Sequence, residues 1–63
     1  MTLTWTEPDG RTITDPDAII TRLWAIGIPI GARRDLAEVA IRTGDLDEAN
    51  HWLAGAATLT EES

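Results

Sequence analysis

The sequence predicts an α+β domain in which an N-terminal β-hairpin packs on three short α-helices, in the order ββααα. Three observations carry this. Residues 2–14 alternate apolar residues with Thr on either side of Glu7-Pro8-Asp9-Gly10, a turn sequence. The stretch from Asp15 to Gly27, DPDAIITRLWAIG, combines a helix start, a dense apolar face and a stop. Two further stretches of helical apolar spacing follow, punctuated by Gly44. With 63 residues and no Cys, the chain is a single domain near the lower size limit for folding without disulfides. The compact part is expected over residues 1–57, with residues 58–63 as a frayed acidic tail.

The hairpin comes first. Pro8 presets its φ, Asp9 tolerates the bridge region and Gly10 supplies a positive φ, which suits a type I turn with a Gly bulge. That turn sets Glu7 against Arg11, Thr6 against Thr12, Trp5 against Ile13 and Thr4 against Thr14. Leu3, Trp5 and Ile13 then share a core face, and Thr4, Thr6, Thr12 and Thr14 share the other.

The first helix is expected over about residues 16–26, with Asp15 as its N-cap, Pro16 at its first position and Asp17 at the positive end of its dipole. Ile19, Ile20, Leu23, Trp24 and Ile26 lie within one sector of roughly 160°. Trp24 is expected as the buried centre, between Trp5 or Ile13 and a Leu36–Val39 stripe. Ala18, Thr21, Arg22 and Ala25 form the opposite face, a small-residue contact surface. Gly27 offers a left-handed cap and Pro29 prevents continuation.

The second helix is expected over about residues 33–43, burying Leu36, Val39 and Ala40 with Ala37 at the flank. Arg34, Glu38 and Arg42 form an outer i, i+4 ladder. Ile41 falls between the faces and is expected to be partly exposed. After Gly44, Asp45 and Glu48 resemble a capping box that opens the third helix, over about residues 46–54. Its buried stripe is Leu46, Ala49, Trp52 and Leu53, and Gly55 is its stop.

Composition narrows function. The net charge of -6 is mostly C-terminal, with Asp45, Asp47, Glu48, Glu61 and Glu62 against no cation beyond Arg42. Such a field repels nucleic acid and anionic lipid. The segment LAEVAIRTGDLDEANHWL resembles a helix-turn-helix, with Ala40 four residues before Gly44 and Leu53 nine after it. That resemblance implies DNA binding. However, the position six after Gly44 is Asn50 rather than apolar, and the would-be reading helix opens with three carboxylates.

Asp47 and His51 stand at i, i+4, but a lone His among cap carboxylates does not make a metal site, and no metal or cofactor is expected. No Cys is present, the single His lies on a polar face, and the nine Thr have structural roles, so no catalytic residues are expected. The first ten residues lack the basic and apolar regions of a secretory signal, and a cytoplasmic location is expected.

The sequence therefore points to a small acidic, non-enzymatic protein that acts by binding another protein. Small proteins of phages and mobile elements that bind and modulate a host protein offer an analogy. Candidate contact residues are Ile41, Trp52, Asp45, Asp47, Glu48, Thr4, Thr6 and Thr12. A homodimer through the hairpin edge or the helices is a further arrangement. The second functional reading is a nucleic-acid mimic whose carboxylates occupy a phosphate site, and the third is the degenerate helix-turn-helix.

Overall fold

The computed structural model describes residues 2–62. Its elements are β1 (Thr2–Thr6), β2 (Thr12–Ile13), α1 (Pro16–Ala25), α2 (Arg34–Thr43), α3 (Leu46–Leu53) and β3 (Thr58–Glu62). The fold is α+β, with three helices on one three-stranded antiparallel sheet of order β2-β1-β3. The chain order is therefore ββαααβ, and the expected ββααα order lacks its last strand.

The hairpin forms in the expected register, pairing Trp5 with Ile13 and Thr6 with Thr12. Glu7 N–H donates to the Arg11 carbonyl at 2.8 Å and Gly10 N–H donates to the Glu7 carbonyl at 2.9 Å. Gly10 takes a φ of +95° at the tip. Thr14 does not pair, because the chain leaves the sheet there to enter the cap of α1.

The segment expected to fray is the largest correction. Residues 58–62 pair along the whole of β1, from Thr6 opposite Thr58 to Thr2 opposite Glu62. Leu59 lies opposite Trp5 and is only 2 % exposed. Two strands alone form a marginal sheet, and β3 covers the edge of β1 that the hairpin leaves open. A signal was present in the sequence: Thr2-Leu3-Thr4 recurs as Thr58-Leu59-Thr60, with the same alternation. The carboxylates of Glu61 and Glu62 masked it. Ser63, the end of that expected tail, lies outside the described residues.

Helix starts follow the sequence closely. Asp15 accepts from Ala18 N–H, and Asp45 accepts from Glu48 N–H. The second half of the expected capping box is absent, because the Glu48 carboxylate instead accepts from Trp52 Nε1 at 3.4 Å. Gly44 adopts the left-handed cap between α2 and α3, with φ of +82°. The Gly27 cap does not form: α1 ends on extended Ile26, and Gly27 has no positive φ. After α3, Ala54 takes a left-handed cap and the Gly55 expected as the stop follows it with φ of +87°.

The core comprises Trp5, Ile19, Leu23, Ala37, Ala40, Ile41, Ala49, Leu53, Ala57 and Leu59. The stripe of α3 is as expected, with Ala49 and Leu53 buried and Leu46 and Trp52 partly so. The stripe of α2 is rotated. Ala37, Ala40 and Ile41 are buried, whereas Val39 is 58 % exposed. A sector of about 140° holds Leu36, Ala37, Ala40 and Ile41, and Val39 falls some 60° outside it. Leu36 is only half-buried, and covering Ala37, Ala40 and Ile41 leaves Val39 in water. Ile41, expected to be partly exposed, is only 5 % exposed.

α1 shows the same effect. Ile19 and Leu23 are fully buried, while Trp24 is 50 % exposed. Trp24 stands at the edge of the apolar sector of α1, whose middle is Leu23, so the shared core takes in Leu23 and leaves Trp24 at its margin. The buried aromatic is Trp5. Its indole Nε1 donates to Glu7 Oε2 at 3.0 Å.

Among the described residues, Glu7 is the one buried charged residue, at 8 % exposure. Arg22 closes on it from α1, with Nε 2.8 Å from Oε2 and Nη2 2.9 Å from Oε1. A buried carboxylate needs such partners, and this bidentate pair ties α1 to the hairpin turn. The Arg22 guanidinium, followed by the Trp5 indole, holds the Glu7 carboxyl down to about 2. Arg22, raised by the same contact, is thus turned into the protein rather than forming part of an outer face of α1.

Candidate interaction surface

The exposed side of α1 and α2 brings together residues that the sequence separates. The Trp24 indole Nε1 donates to Glu38 Oε1. Glu38 Oε2 also accepts from Arg42 Nε at 3.1 Å. The Arg34 guanidinium carbon lies 5.5 Å from the Trp24 ring centroid, within cation–π range. Arg34 Nη2 donates to the Ile26 carbonyl at 2.6 Å, where a cation also suits the C-terminal end of α1. The indole hydrogen bond, with Arg42 second, lowers the Glu38 carboxyl below the usual carboxylate range. The charged form of Glu38 is therefore the one that holds Trp24.

The expected Arg34–Glu38–Arg42 ladder is formed only between Glu38 and Arg42. Arg34 has turned toward Trp24 and the end of α1. Val39 follows Glu38 on α2 and is also exposed, as is Ile30 in the connector between α1 and α2. Neither Trp24 nor Val39 was expected at the surface. Their wheel positions, at the margins of their apolar sectors, were the available signal.

The residues named from sequence as contacts fall in several places. Ile41 forms the floor of a groove of about 290 Å³ with Leu3 and Ile20, rimmed by Pro16, Asp17 and Arg42. Trp52 is partly buried against the core, its ring edge-on to His51 at 4.8 Å between centroids. Asp45, Asp47 and Glu48 are exposed at the start of α3, but Asp45 caps the helix and Glu48 accepts from Trp52. Thr4, Thr6 and Thr12 lie on the sheet face away from the helices, where Thr58 and Thr60 extend the hydroxyl surface across β3. The structure therefore does not gather these residues into one site.

Asn50, the amide expected at an apolar position of the helix-turn-helix pattern, is bonded to β3 and is not presented outward. Among the described residues, no three His, Asp or Glu side chains converge as a metal site would require, and no helix is long and apolar enough to cross a membrane. Comparison of the chain with protein-family models, curated proteins and solved structures finds no match.

Proposed function

We propose that this protein acts by binding another protein through the outer face of α1 and α2, with Trp24 as the anchor. One observation carries the reading. Trp24 is half exposed, yet it is held by Glu38 at its indole nitrogen and by Arg34 near its ring. A large side chain held in this way loses little freedom on binding, and Trp and Arg dominate binding hot spots. Val39 adds exposed apolar area on α2, and Arg42 adds a charged group bonded to Glu38.

The analogy with phage and mobile-element proteins that modulate a host protein, and the cytoplasmic location, belong to this proposal. The mimic reading is not favoured, because two of the three carboxylates at the start of α3 are engaged within the helix.

The test is affinity capture from lysate of the native host with three baits: the wild type, Trp24→Ala, and a triple variant Asp45→Asn, Asp47→Asn, Glu48→Gln. Circular dichroism first establishes that each bait is folded. Captured proteins should be retained by the triple variant and lost with Trp24→Ala. The opposite pattern would replace this proposal with the mimic, and equal capture by all three baits would remove Trp24 from the interface.

A further inference from the structure

Asn50 makes two bonds to a single residue of β3. Leu59 N–H donates to Asn50 Oδ1 at 2.7 Å, and Asn50 Nδ2 donates to the Leu59 carbonyl at 3.0 Å. Both backbone groups of Leu59 therefore point away from β1, so the Trp5–Leu59 pair is a non-hydrogen-bonded position of the ladder. The alternation makes Glu61 the next residue whose backbone groups face outward. β3 lies at the edge of the sheet, and an edge strand is a template on which another strand can pair.

We propose that Asn50 is an edge guard, closing the outer edge of β3 to strand addition by a second copy of this chain. The second copy is the occupant that the register of β3 itself defines. Two β3 edges can pair antiparallel about a two-fold axis at Thr60. That sets Leu59 opposite Glu61 of the other copy, Thr60 opposite Thr60, and Thr58 opposite Glu62, with no like charges facing. The pairing uses the N–H and carbonyl of Leu59 from both copies, which are the groups that Asn50 occupies. A shifted register centred on Glu61 sets Glu61 against Glu61, which like-charge repulsion disfavours. The amide at Leu59 and the carboxylate at Glu61 thus close both halves of the edge. This also accounts for a polar side chain in a helix that otherwise turns Leu46, Ala49 and Leu53 inward.

Sedimentation across a wide concentration range tests the guard with the wild type, Asn50→Ala, Asn50→Ala with Glu61→Pro, and Leu46→Ala. Asn50→Ala should self-associate at least about tenfold more tightly than the wild type, the order expected when two backbone bonds become available in each copy. Adding Glu61→Pro should reverse this, because it removes an outward N–H without touching the bonds to β1. Leu46→Ala lowers stability with the guard intact and should not associate. Hydrogen exchange on the wild type gives a second measurement that does not depend on a variant folding: the Leu59 amide should exchange much more slowly than that of Glu61. Equal exchange at the two amides, no added association in Asn50→Ala, association that survives Glu61→Pro, or equal association in Leu46→Ala would each overturn the proposal.

Discussion

Leu59→Ala separates a packed C-terminal strand from a loose tail. Leu59 is 2 % exposed, sits opposite Trp5 and belongs to the same buried cluster as Leu23 and Leu53. Its backbone is bonded by Asn50 whatever side chain it carries, so truncation removes apolar contacts and leaves a cavity while sparing those hydrogen bonds. Buried Leu→Ala changes cost about 2–5 kcal/mol. A chain of 63 residues has a total stability on the order of 3–9 kcal/mol, so the variant should lose roughly half of it. The assay is urea unfolding followed by Trp fluorescence, with Thr60→Ala as a neighbouring exposed control. A loss of about 3 kcal/mol corresponds to a fall in Tm of roughly 12–24 °C for a domain of this size. A loss within about 0.5 kcal/mol, the range of ordinary surface changes, would refute the packing of β3 and with it the three-stranded sheet.

Two further predictions concern the backbone and the buried ion pair. Gly44→Ala should destabilise by about 1 kcal/mol in the same assay, since its φ of +82° strains any residue with a Cβ, whereas Gly27→Ala, with no positive φ and open space around it, should be neutral or slightly stabilising. The Glu7 carboxyl falls from 4.5 to about 2 on folding, so its contribution to stability is complete above pH 4.5 and is lost as pH falls toward 2. Urea titrations across that interval should show stability decreasing with acidification, with a smaller slope in Glu7→Gln; an unchanged slope would place Glu7 outside the buried pair.

Much of the fold was legible because it is local. The turn at Glu7–Gly10, the caps at Asp15 and Asp45 and the left-handed Gly44 depend on residues within four positions of one another. The candidate surface was not legible. Whether Trp24 or Leu23 enters the core depends on how a short connector lets α1 and α2 be covered together, and both lie in the same apolar sector. Ile41 and Val39 exchanged roles for the same reason. Asn50 looked like a flaw in one motif because its partner, Leu59, lies nine residues away in a segment judged by its charge.

By itself, then, the sequence determined the identity of the helices, the capped starts of α1 and α3, the hairpin and its register, and the α+β class, because hydrogen-bonding range and helical or strand periodicity fix these within a few residues. Only the tertiary structure decided that residues 58–62 complete the sheet, that Arg22 turns inward to Glu7, and that Trp24 is left outside against Glu38 and Arg34. These are outcomes of competition for cover. An apolar or charged side chain is buried only if another element reaches it, and in a chain this small each element has one side that the rest cannot reach.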